Sequence, residues 1–92
     1  MGTEYRITFE ELPERAALDG VLRAQPRFAD FDAAWGSYNF RLHGAAPAMP
    51  HAEARIDDDG VYFCDYADDG SIFTALQAAL SARWAIAVRA LE

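Results

Sequence analysis

Residues 53–66, Glu53-Ala54-Arg55-Ile56-Asp57-Asp58-Asp59-Gly60-Val61-Tyr62-Phe63-Cys64-Asp65-Tyr66, are two alternating stretches around an Asp-Gly pair, and their reading decides the fold. Successive side chains of a strand point to opposite faces, so Ala54 and Ile56 fall on one side and Glu53, Arg55 and Asp57 on the other. Asp-Gly at the junction is a hairpin signal, because a tight primed turn needs positive φ at both central positions. With Asp59 and Gly60 there, Ile56 pairs with Phe63, Arg55 with Cys64, Asp57 with Tyr62 and Glu53 with Tyr66. A four-residue loop is the competing connection. The paired register puts Ile56 and Phe63 on an apolar face and the other six residues on a polar one.

Upstream, Tyr38, Phe40 and Leu42 alternate with Ser37, Asn39, Arg41 and His43, which predicts a strand, and a loop stiffened by Pro47 and Pro50 follows. Residues 4–10 alternate in the same way, with Tyr5, Ile7 and Phe9 on the apolar side. Between these strands Pro13 sits where a first helical turn tolerates a missing N–H, and Leu18, Val21 and Leu22 recur at helical spacing. The pattern predicts a helix over 13–25, ended by Pro26. Phe28, Phe31 and Trp35 lie three and four apart, so 27–35 reads as a short helical turn or a packed loop. Downstream, Phe73, Leu76, Leu80 and Trp84 form one helical stripe over 71–83. Ile86, Val88 and Ala90 then alternate with Ala87 and Arg89 as a last strand.

The expected order is β-α-β-β-β-α-β in a single domain covering 1–92. Right-handed crossovers put both helices on one face of a mainly antiparallel or mixed sheet. The result is an α+β two-layer sandwich, a variant of the ferredoxin-like split pattern with an added strand. That likeness is to a fold, and a fold alone carries no function.

Charge narrows the function classes. Fifteen acidic residues against eight basic ones leave −7, and all eight cations are arginine. Without lysine, a phosphate-binding loop ending in Lys and a Schiff-base mechanism are both excluded. Nucleic-acid binding draws its affinity from neutralised phosphates, so this surface opposes it and fits a basic protein partner instead. A lone cysteine excludes an internal disulfide and a CxxC metal knuckle, and suits a cytoplasmic setting. No run of 18 apolar residues occurs, so no membrane span is expected. Nineteen of the apolar residues are alanine, which leaves a modest set of large side chains for the core.

Strand parity assigns Arg6, Thr8, Asn39, Arg41, His43, Arg55, Tyr62, Cys64, Tyr66 and Arg89 to a sheet face that the helices leave open. Tyrosine and arginine are enriched where partners bury them. Against this stands a solvated face, with Arg stems across tyrosine rings and pairs such as Arg55 with Glu53 or Asp57. The RNA-recognition fold also presents an open aromatic sheet, but its third-strand glycine and aromatic signature is missing and the charge opposes it.

Two functional expectations follow. The first is a non-enzymatic interaction domain, of inhibitor or immunity type or self-associating as a homodimer. Arg41, Arg55, Tyr62 and Tyr66 supply contact, and Asp57, Asp58 and Asp59 steer toward a basic partner. The second is a small enzyme or anionic-ligand-binding domain built on Asn39, His43 and Cys64. There, an arginine activates the thiolate, or Arg41 with Asn39 holds a carboxylate or phosphate ester. No cofactor and no metal are expected. A calcium loop read from Asp57 meets Tyr62 at its sixth position, and one read from Asp65 meets Leu76 at its twelfth. Asp65, Asp68 and Asp69 suit the capping of the second helix better than acid-base work. His43 and His51 lack the spacing of a helical zinc pair.

Overall fold

The computed structural model describes residues 2–42, 50–67 and 69–91. It is a mixed α+β fold with strands β1 (Thr3–Phe9), β2 (Phe28–Asp32), β3 (Ser37–Phe40), β4 (Ala52–Asp57), β5 (Gly60–Asp65) and β6 (Ile86–Leu91), and helices α1 (Arg15–Arg23) and α2 (Ser71–Ser81). The strands form one sheet in the order β2-β3-β4-β5-β1-β6. Every neighbouring pair is antiparallel. Strands β2 to β5 make a meander, and β1 inserts between β5 and β6. The connection through α1 therefore steps over β5, β4 and β3, and the one through α2 steps over β1.

The expected turn or loop over 27–35 is instead β2 and the start of its hairpin, so the sheet has one strand more than the alternation predicts. Its pairing explains the misleading spacing. Phe28 pairs with Phe40, Asp30 with Asn39 and Phe31 with Tyr38, with a register shift between Phe28 and Asp30. The extra residue of a bulge lets two positions three apart share one face. Phe28 and Phe31 both pack against the core that way. The strand is tied to α1 by Arg23, whose guanidinium lies 5.8, 5.0 and 5.8 Å from the ring centres of Phe28, Phe31 and Tyr38. Asp19 completes this cluster, accepting 2.6 Å from Tyr38 Oη and 2.9 Å from Arg23 Nε. Those two donors hold the Asp19 carboxyl below its ordinary range. Burial, reinforced by Asp19, pushes the Tyr38 phenol up to about 12.

The β4–β5 hairpin differs from the expected register. Asp57 pairs with Gly60, Ile56 with Val61, Arg55 with Tyr62, Ala54 with Phe63 and Glu53 with Cys64. The turn residues are thus Asp58 and Asp59, because the Asp57 carboxylate accepts from the N–H groups of Asp59 and Gly60, each at 3.0 Å. Gly60 serves a close approach of strands. At φ 146°, a Cβ there would stand 2.1 Å from the Ile7 carbonyl oxygen. Moving the register by two residues preserves face parity, so Ile56 and Phe63 still share the apolar side and Arg55, Tyr62 and Cys64 the polar one.

One cluster joins Leu18, Val21 and Leu22 of α1 and Ile72, Phe73, Leu76 and Leu80 of α2 to the apolar parity of the sheet, including Ile7, Tyr38, Phe40, Ala54, Val61 and Phe63. Tyr5 stacks on Phe73 with ring centres 3.9 Å apart. Burial of each large side chain is worth about 1.5–3 kcal/mol. The helices are shorter than the periodicity implies. Glu14 is the N-cap of α1, so Pro13 lies just outside it. Strand β3 stops at Phe40, where Arg41 N–H turns to Arg27 O at 2.9 Å.

Candidate functional site

Cross-strand pairing puts Glu4, Cys64, Glu53, Asn39 and Asp30 in one row on the polar parity of the sheet. Arg6, Tyr62 and Arg55 form the next row. Glu53 is the centre of the first, and only 8% exposed. Both Nε and Nη2 of Arg55 lie 3.0 Å from its Oε2. Tyr66 Oη donates to Oε1 at 2.5 Å. Ser37 Oγ lies 3.1 Å from Glu53 Oε2 and 2.9 Å from Asn39 Oδ1, so its single proton serves one acceptor at a time. Asn39 Nδ2 donates to Asp30 Oδ1 at 2.8 Å. A buried carboxylate is tolerated because donors replace its lost water.

Cys64 lies beneath this network at 4% exposure. Burial pushes its thiol up; hydrogen bonds from Tyr62 and Tyr66 work against that, while the Glu4 and Glu53 carboxylates add to it. Activated thiolates need exposure and cations nearby, the reverse of these surroundings. Burial likewise raises the Tyr62 and Tyr66 phenols, helped by hydrogen bonds to Glu4 and Glu53 respectively. Asp57 accepts from Arg6. Burial works to raise its carboxyl, but the bonds from Arg6, Asp59 and Gly60 outweigh that and hold it below the ordinary range.

Trp35, 72% exposed, borders this face from the β2–β3 turn. There Trp35 N–H donates to Asp32 O at 3.2 Å and Ala34 N–H to Asp32 Oδ1 at 3.0 Å. Gly36 closes the turn at φ +66°. Two adjoining depressions share Trp35 and Arg55. One is lined also by Asp30, Asp32, Ser37, Asn39, Arg41, Pro50 and Glu53; the other by Arg6, Arg15, Gly36, Ile56, Asp57 and Tyr62.

The sequence-predicted residues separate accordingly. Asn39, Arg41 and Arg55 line the first depression, and Arg55, Asp57 and Tyr62 the second. Tyr66 lines neither and instead donates to Glu53. Asp58 and Asp59 are exposed at the hairpin tip. His43 and Asp68 lie outside the described residues. Near α2, Asp65 Oδ2 accepts from Gly70 N–H at 2.9 Å and Asp69 Oδ1 from Ser71 N–H at 3.0 Å, so these two carboxylates serve the entry to the helix. Asp65 Oδ1 is buried with no hydrogen-bond partner among the described residues.

Glu53, Ser37 and Trp35 are the residues that sequence reasoning does not single out. Only parity hinted at Glu53, since the donors that meet it come from β3, β4 and the end of β5. Trp35 reads by spacing only as part of a short helical turn or a packed loop. Among the described residues, no group of three or more His, Cys, Asp or Glu could hold a metal ion. Among them too, no helix is long and apolar enough to cross a membrane. In comparisons with known proteins, the chain matches no family model, no curated protein and no solved structure.

Proposed function

We propose that this chain is an acidic protein-interaction domain that docks a basic protein on its polar sheet face. The fold is read here as a two-layer, extended ferredoxin-like arrangement with both helices on the opposite side. One observation carries the reading: Trp35, with most of its surface in solvent, borders a depression whose lining holds Asp30, Asp32 and Glu53 against Arg41 and Arg55. An exposed indole beside carboxylates suits an arginine or lysine of a partner, through cation–π contact and charge-assisted hydrogen bonds. Asp58 and Asp59 at the exposed hairpin tip extend the negative field that steers association. A small acidic inhibitor covering the basic surface of an enzyme, as immunity-type proteins do, is the form that size and charge favour.

The test is affinity capture from native lysate with wild type and Trp35→Ala side by side, identifying proteins by mass spectrometry. A basic protein retained by wild type, lost from the variant and released by modest salt is the expected result. Equal capture by both proteins, or a partner indifferent to salt, would overturn the reading.

A second reading rests on the neighbouring depression, lined by Arg6, Arg15 and Arg55, of which Arg6 is paired with Asp57 and Arg55 with Glu53. Three guanidiniums in one lining, each with N–H groups to spare, suit an anionic ligand better than Asn39, whose amide is engaged with Asp30. Titration with inorganic phosphate, followed by tryptophan fluorescence, separates the two. A saturable change that Arg15→Ala abolishes belongs to the second reading.

A further inference from the structure

The two edges of the sheet, β2 and β6, are unlike. The β2 edge carries Asp30, Asp32 and a bulge, the devices by which edge strands discourage pairing with another chain. The β6 edge, Ile86-Ala87-Val88-Arg89-Ala90-Leu91, has one charge and no proline. Its register with β1 runs unbroken from Ile86 to Leu91. Ile86, Val88 and Leu91 remain only half-buried there.

Backbone polarity fixes which groups face outward. Glu10 N–H donates to Ala85 O at 3.0 Å, so Glu10 and Ala85 are a hydrogen-bonded pair. Such pairs alternate with non-bonded ones along an antiparallel ladder. Ala87, Arg89 and Leu91 therefore bond inward to β1. The N–H and C=O groups of Ile86, Val88 and Ala90 point away from the sheet.

We propose that β6 is a self-association edge, pairing antiparallel with β6 of a second copy about a twofold axis through Val88. In that register Val88 opposes the second copy's Val88, and Ile86 opposes its Ala90. All these residues have outward backbone groups, which gives about six new hydrogen bonds. Opposed residues in an antiparallel pair share a face, so the apolar parities of the two copies meet on one side and the half-buried Val88 and Ile86 gain cover. On the polar side Arg89 opposes Ala87, whereas a register centred on Arg89 would set two guanidiniums against each other.

Sedimentation velocity of the whole chain over a concentration series tests this. The expected species at high concentration has twice the 10.2 kDa of the monomer. Ala90→Pro removes an outward N–H without breaking an internal bond, so it should give a monomer with an unchanged unfolding midpoint. Ala87→Glu sets a carboxylate against the second copy's Arg89 and should tighten the dimer, and Ala87→Lys should weaken it. Each change should be roughly 2- to 30-fold, from two symmetric cross-strand pairs. A monomer at every concentration overturns the proposal, as does a dimer untouched by a folded Ala90→Pro. Should Ala90→Pro fail to fold, the Ala87 pair decides: opposite shifts support the edge, and shifts of the same sign, or none, overturn it.

Discussion

Phe63 and Cys64 are adjacent on β5, and both are almost fully buried, but by different means. Phe63 is enclosed by rings: Phe73 at 5.2 Å, Phe40 at 6.1 Å and Tyr5 at 6.5 Å between centres. Cys64 is enclosed by polar groups, with Tyr62, Tyr66, Glu4 and Glu53 around it. Apolar burial is non-directional and insensitive to protonation. The polar cover holds only while each donor meets its acceptor and each group keeps its charge state. The two sides of one strand should therefore fail under different challenges.

Substitution on the ring side should have the largest effect. Phe63→Ala removes a side chain from the centre of the core and should cost about 3–5 kcal/mol, by an equal amount at pH 7 and pH 9 in urea unfolding. A loss that varied with pH would mean that the two sides are not energetically separate. The polar side should yield less. Glu53→Gln keeps an oxygen for Tyr66 but sets an amide NH2 where Oε2 accepts from Arg55, so donor meets donor there and only Ser37 Oγ can turn to accept; it should cost about 1–3 kcal/mol in the same experiment. A neutral result would show that the carboxylate network contributes nothing net to stability, as some buried ionic groups do.

The smallest effect is the most specific to the comparison. The Cys64 thiol is raised in the fold, so at alkaline pH the unfolded chain loses its proton first. Stability from this group is complete below the ordinary thiol range and declines as pH rises from there toward the folded value. Cys64→Ala should therefore lose less stability than wild type between pH 8 and 10 in thermal melts. Tyr38 at about 12, with Tyr62 and Tyr66 also raised, accounts for the further loss that both proteins should share at higher pH. If wild type and Cys64→Ala have parallel pH profiles, the thiol is not held protonated by its burial.

Much of the fold is legible in the chain itself, and the failures have identifiable causes. Alternation located β1, β4, β5 and β6, and helical spacing located α1 and α2, each with ends within a few residues. The Asp-Gly pair correctly marked a hairpin. However, it misassigned the turn by one position, because Gly60 answers to the Ile7 carbonyl of a strand distant in sequence. Phe28 and Phe31 mimic a helix, since a bulge is a property of a strand pair and leaves no mark on one strand alone. On the polar side, Asn39, Arg55 and Tyr62 were assigned by parity and do line the depressions. Glu53 became their centre only through donors from elsewhere in the sheet.

In the strands without a bulge, alternation along the chain fixes which side chains share a face, because that follows from backbone geometry within a few residues and survives a register change of two. The chain also carries the acidic, lysine-free composition. The assembled sheet is what buries Glu53 among donors, stands Trp35 out in solvent and makes β6 an edge whose Ile86, Val88 and Ala90 backbone groups point away from β1. Those outcomes depend on which strands become neighbours, and that contest among distant segments leaves no local periodicity to read.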